Sequence, residues 1–222
     1  MKLAHFDFEN VFELSPSIVN VLVIEPENYF FKYCSEIQRQ INGGEGCFVL
    51  SENDEILNLS KCAVFTESYL SFQVNERKVS SKLYSSLAEI AETKFLQDYR
   101  NICQQILEFL MKLNAESECP ICFGDEVDMS LLFKMFGVDI EVGDTFLEKL
   151  LAFMRVQSIL CGMQCFFFVN LKTFLTEKEL KLLYHEVELM ESCIFLIENT
   201  YKPKLPAEHV IIIDRDLCEI LA

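Results

Sequence analysis

CFFFVN at residues 165–170 and CIFLIEN at residues 193–199 decide the fold. Both are apolar runs without alternation, which is how strands covered on both faces read. Between them Thr176 and Glu179 stand three apart at the head of an amphipathic stretch, the pattern of a capping box that opens a helix. Strand, helix and strand in that order predict a parallel α/β core. A third apolar run, Val210 to Ile213, follows and ends in Asp214-Arg215-Asp216.

Toward the start of the chain, Lys2 to Phe8 and VLVIE at 21–25 are strand candidates. Pro26 suits a first helical turn, and Tyr29, Phe30, Tyr33, Cys34, Ile37 and Ile41 supply one apolar face until Asn42-Gly43-Gly44 stops the helix. CFVLSE at 47–52, Ile56 to Leu59 and Ala63 to Thr66 read as further strands, with Glu52-Asn53-Asp54 as a turn. From Arg77 to Asn114 there is neither Pro nor Gly, and apolar residues recur at helical spacing from Val79 to Leu113. This predicts one long helix or two nearly collinear ones, on the order of 55 Å in all and longer than a compact domain of this size can flank. Ser130 to Gly137 predicts a short helix. Thr145 to Cys161 predicts a longer one, opened by a second capping box at Thr145 and Glu148. The expected organisation is a discontinuous α/β head from residues 1–77 and 163–222, with a helical leg inserted at 78–162.

Composition limits the function. The 222 residues carry 19 Lys and Arg against 35 Asp and Glu, a net charge of −16, so the average surface repels nucleic acid. Any nucleic-acid site must collect its positive charge locally. A hydrophobic content of 51%, with 20 Phe, points to apolar surface shared in a homo-oligomer. The longest apolar runs fall short of the ~20 residues that span a bilayer. MKLAHFDFENVFE also has acids where a signal peptide needs a basic end, so a cytoplasmic protein is expected. Of the ten cysteines, Cys34, Cys47, Cys165, Cys193 and Cys218 sit in apolar patterns and read as reduced, buried thiols.

The residues that could carry chemistry are few. A nucleotide hydrolase needs a glycine-rich phosphate loop between strand and helix, but the first strand-to-helix turn here is Glu25-Pro26-Glu27. Gly43-Gly44-Glu45-Gly46 follows the helix instead and reads as its C-terminal turn. Cys119-Pro120-Ile121-Cys122 has zinc or redox spacing without a second ligand pair, and His5, His185 and His209 are scattered. Acids gather at Glu116, Glu118, Asp125, Glu126 and Asp128, then at Asp139, Glu141 and Asp144. They read either as ligands for a hard cation or as a solvated acidic turn, and they lack EF-hand order. Asp214 and Asp216 are the alternative pair, for metal-dependent nuclease chemistry. The basic residues Lys32 and Arg39 on the first helix, Arg77, Lys78 and Lys82 at the start of the long helical stretch, and Lys202 and Lys204 are candidates for phosphate contacts. In a ring-shaped oligomer a few such cations would be multiplied around the bore.

Several segments together resemble a known family: VLVIE and the helix after it, NERKVSSKLYSSL at 75–87, LLFKMFGVDIE at 131–141, FFFVNLKTFLTEKEL at 166–180, FLIEN at 195–199 and VIIIDRDLCEIL at 210–221. In number and order they are similar to the small accessory protein of type II-A CRISPR systems, which acts in spacer acquisition and antiviral defence, and the length suits its shorter form. The resemblance implies an α/β head related to nucleotide-hydrolase cores but without their phosphate loop, carrying a helical leg. It also implies a homotetrameric ring that threads onto ends of double-stranded DNA without sequence preference, with no nuclease or ATPase activity. It implies calcium near the head-leg junction, and partners in the integrase pair and the guide-RNA nuclease. On this basis Glu118, Asp125, Glu126, Asp128 and Glu141 become the expected calcium ligands; Lys32, Arg39, Arg77, Lys78 and Lys82 are the expected DNA contacts on their positions alone, since they align to no family signature. The stretch from Glu118 to Gly124 is poorer in acids than the family pattern.

Overall fold

The computed structural model describes residues 1–119 and 121–222. The chain forms two compact units, one from Met1–Val74 with Val142–Ala222 and the other from Asn75–Glu141.

The first unit is built on a six-stranded sheet of order β10-β9-β3-β8-β7-β6, comprising β3 (Val19–Ile24), β6 (Ala63–Thr66), β7 (Cys165–Val169), β8 (Cys193–Glu198), β9 (Glu208–Ile213) and β10 (Glu219–Leu221). Five strands run parallel, and only β10 turns back as an antiparallel edge. Every residue of β3, β7 and β8 is buried, which is why these segments carry no polar alternation. The predicted parallel α/β core is thus present.

One face of the sheet is covered by α1 (Glu27–Ile41) and a four-stranded antiparallel sheet of order β2-β1-β4-β5. Its strands are β1 (Lys2–His5), β2 (Phe12–Glu13), β4 (Phe48–Glu52) and β5 (Glu55–Leu57). Leu3, Phe12, Ile37, Leu50, Phe167 and Phe195 meet in this core. Asn53 and Asp54 join β4 to β5 with φ of 49° and 66°, the left-handed pair of a tight hairpin, which Asn and Asp tolerate best among non-glycine residues. The expected strand at Ile56 to Leu59 is shorter than read. Asn58 accepts the Ser60 N–H and caps a short helix, α2 (Leu59–Cys62).

α6 (Phe146–Cys161) and α7 (Glu177–Leu189) open with the two expected capping boxes, on Thr145 and Thr176, and a short 3-10 turn, Leu171–Thr173, precedes α7. α6 corrects the expected boundary at 162. Leu150 and Met154 are fully buried, and Phe153 lies 4.6 Å from Phe72 and 6.5 Å from Phe166 of β7, so residues 142–162 belong to the first unit. Helical periodicity shows that a face is apolar; it does not show what that face covers.

In the second unit the long helical stretch is two helices, α3 (Arg77–Thr93) and α4 (Leu96–Glu116), interrupted at Lys94 and Phe95, with the short α5 (Met129–Met135) after them. Asn75 clamps the end of this unit with both groups of its amide, donating to the Ile140 carbonyl and accepting the Ile140 N–H, each at 3.0 Å. α4 is amphipathic in sequence yet has no buried residue, leaving Ile102, Phe109, Met111 and Leu113 in the open. No helix among the described residues is long and apolar enough to cross a membrane.

Candidate functional site

Parallel strands deliver their carboxyl ends to one edge of the sheet, where open α/β folds hold their ligands. Here β3 ends at Ile24 and β8 at Glu198, and beside them opens a cavity of about 430 Å³ lined by Glu25, Glu27, Phe30, Thr200, Tyr201 and Arg215, among others. The turn out of β3 shapes its chemistry. Pro26, at the N-cap of α1, has no N–H to give, and Glu27 places a carboxylate in the first helical turn. A phosphate at that position would meet negative charge in place of a ring of amides.

Behind this edge lies a buried polar network. The Glu198 carboxylate is 1% exposed and accepts the Lys172 N–H at 3.0 Å; burial pushes its pKa up to about 7. The Lys172 ammonium lies 2.9 Å from Glu208 Oε2 and donates to the Pro203 carbonyl at 3.2 Å. Glu208 also accepts the Tyr184 hydroxyl at 2.7 Å and the Leu205 N–H at 2.9 Å. Burial beside Glu208 raises the Tyr184 phenol well above its usual range. Asn170, at φ 55°, accepts the Asn199 N–H at 3.0 Å and so ties the exits of β7 and β8 together. Sequence reasoning quoted Asn170 and Lys172 within FFFVNLKTFLTEKEL and Glu198 and Asn199 within FLIEN, and gave none of them a role in such a network.

The five cations expected to contact DNA fall into two kinds. On α1, Lys32 is 2.6 Å from Asp7 Oδ2 and lies over the Tyr33 ring, and this contact holds the Asp7 carboxyl below its usual range. Arg39 donates through Nε to the Glu45 carbonyl at 2.8 Å. By contrast Arg77, Lys78 and Lys82 at the start of α3 are exposed, and none is in an ion pair among the described residues. Lys78 and Lys82 are one helical turn apart on the same side, and the first turn of α3 holds no acid, although Glu76 stands at its N-cap.

Glu118, Asp125, Glu126, Asp128 and Glu141 are all exposed. Asp128 is occupied as the N-cap of α5, where it accepts the Ser130 and Leu131 N–H groups at 2.8 and 3.2 Å. The donors are of the right kind for calcium, but the structure does not bring three of them together. Among the described residues the group of three or more potential ligands that does converge is His5, Glu36 and Cys47. Pro120, in the middle of the Cys119–Cys122 motif, lies outside the described residues.

Comparison with known proteins bears on this arrangement. The family model for CRISPR-associated protein (Cas_Csn2) matches residues 40–217. The chain belongs to the Cas_Csn2 family. Membership places it among the accessory proteins of CRISPR adaptation, as the segments quoted above implied. No curated protein matches it significantly. Among solved structures it is similar to a putative ABC transporter ATP-binding protein from Pyrococcus furiosus, at 10% identity over 95% of this chain and 97% of that one, with a TM-score of 0.43. That likeness is too remote to bear on function.

Of the remaining sequence candidates in this Cas_Csn2 chain, Asp214 and His209 have structural partners. Asp214 Oδ1 accepts the Asp216 and Cys218 N–H groups at 2.9 and 2.8 Å, so it shapes the turn from β9 to β10. His209 meets Asn20 at 3.3 Å, and His185 is exposed on α7. Cys34, Cys165 and Cys193 are buried as expected, whereas Cys47 and Cys218 are exposed because they lie in the connections before β4 and before β10.

Proposed function

We propose that this chain is a non-enzymatic clamp for ends of double-stranded DNA in spacer acquisition, working as a homotetrameric ring without sequence preference. Its partners are then the DNA end, its own copies, the CRISPR integrase proteins and the guide-RNA nuclease. Family membership over residues 40–217 is the observation that carries the reading. Three features support it. The strand-to-helix turn that holds phosphate in nucleotide hydrolases presents Glu25 and Glu27 here, which removes the usual reason for such a core to act on nucleotides. Arg77, Lys78 and Lys82 are exposed and, among the described residues, outside ion pairs, which suits backbone phosphate contacts. The uncovered apolar side of α4 suits burial against another copy.

Calcium enters as a dependence to be tested, because the acids of residues 118–141 are not gathered in the single chain. If it stabilises the ring, chelation lowers the oligomeric state and DNA retention together. Incubating duplex DNA with magnesium or manganese tests the enzymatic alternative. Cleavage that Asp214→Ala abolishes would replace the clamp with a nuclease. Retention of integrase proteins with no DNA retention at low salt would leave a protein-binding scaffold.

A further inference from the structure

His5 on β1, Glu36 on the buried side of α1 and Cys47 at the entry to β4 come from three separate segments, yet their ligand atoms all lie within 4.8 Å of one another. His5 and Glu36 are buried and Cys47 is exposed. We propose that these three residues form a binding site for a divalent cation of the zinc class.

Several observations carry this. His5 Nε2 and Glu36 Oε2 are 3.4 Å apart. Two ligands at about 2.0–2.1 Å from one tetrahedral centre are separated by about 3.3 Å. Imidazole nitrogen, carboxylate oxygen and thiolate sulfur form a donor set for zinc or cobalt, whereas calcium and magnesium take oxygen alone. Carboxylate and thiolate together neutralise a dication, which suits a site closed on its His5 side. The ring of His5 is fixed by Phe48 at 4.4 Å, Phe8 at 4.8 Å and Tyr33 at 5.1 Å. The exposed side at Cys47 leaves an entry path and a fourth position for water.

Binding has a stated proton balance. The Cys47 thiol releases its proton to solvent as the metal–sulfur bond forms. Glu36 Oε1 already accepts the Cys47 N–H at 2.6 Å, and that bond persists because the cation uses the other oxygen. Asp7 donates its N–H to His5 Nδ1 at 3.1 Å, which leaves the ring proton on Nε2. Metal binding through Nε2 therefore moves that proton to Nδ1 and turns the Asp7 amide away, on an exposed turn where the loss is one hydrogen bond. The site shares no residue with the acids of residues 118–141, so its fate is independent of calcium in the clamp.

The test is titration of the full chain with cobalt(II), read by the thiolate-to-metal charge-transfer band, followed by displacement with zinc. One equivalent should bind, with the band lost in Cys47→Ser and retained in the Cys119→Ser/Cys122→Ser double variant. Cys47→Ser alters an exposed side chain, and its circular dichroism without metal should match the parent. Its affinity should fall by more than about 100-fold, since even residues behind metal ligands cost about 10–100-fold. Zinc should also shift the Asp7 amide resonance in the parent and not in Cys47→Ser. Absence of the band in the parent, its survival in Cys47→Ser, or its loss in the double variant overturns the proposal.

Discussion

Replacing Glu198 by Gln should change how stability depends on pH. The carboxylate ends β8 at 1% exposure, and its pKa is raised from 4.5 to about 7. Burial is the largest cause; the Lys172 N–H and the charges of Lys202 and Lys172 oppose it, and Glu208 reinforces it. A group that holds its proton more tightly when folded adds stability that is fully present below its unfolded pKa and is lost as pH rises through the folded value. At about 1.4 kcal/mol for each tenfold change in proton affinity, the whole contribution is about 3 kcal/mol, most of which disappears between about pH 5 and about pH 8. Glutamine does not titrate and keeps an oxygen for the Lys172 N–H. The assay is urea unfolding of the parent and Glu198→Gln at both pH values, taking the difference between the proteins so that other titrating groups cancel. The parent should lose about 2–3 kcal/mol relative to the variant on going to the higher pH. A difference that does not vary with pH would refute the reasoning.

Lys172→Met leaves the Glu208 side chain, at 0% exposure, without its cation, and should cost about 3–5 kcal/mol in urea unfolding. Thr145→Ala removes the hydroxyl that accepts the Glu148 N–H at the head of α6 and should cost about 1 kcal/mol in the same assay. In filter binding of duplex DNA across a salt series, Lys78→Ala and Lys82→Ala should each flatten the slope of log affinity against log salt by about 0.9. Lys32→Ala should flatten it less, because the Lys32 ammonium is already engaged with Asp7. Asp214→Ala should loosen the β9–β10 turn by about 1 kcal/mol without altering DNA, since its carboxylate holds two backbone amides.

The sheet was legible because burial on both faces leaves β7 wholly apolar and β8 apolar up to the Glu198 that ends it, and the helix starts were legible where Thr145 and Thr176 each stand three residues before a Glu. Local chemistry writes these features into a few adjacent residues. The interruption at Lys94 and Phe95 carries no Gly or Pro and so left no mark on the pattern. The side of the molecule that α6 covers depends on Phe72 and Phe166, which no local period can reveal. The same holds for the polar network, since Lys172 and Glu208 are 36 residues apart and meet only when the 3-10 turn and β9 are assembled. Of the five expected DNA contacts, charge alone could not separate Lys32 and Arg39, which have partners, from Arg77, Lys78 and Lys82, which are in no ion pair among the described residues. His5, Glu36 and Cys47 were passed over singly because sequence shows spacing along the chain, and these three converge through folding.

The clamp is tested most directly by comparing retention of one duplex sequence in two forms, blunt linear and covalently closed circular, at low and at raised salt. The account predicts capture of the linear form, weakening steeply as salt rises, with the closed circle left unbound until a restriction cut gives it ends. Equal retention of both forms, or of neither at low salt, would contradict it.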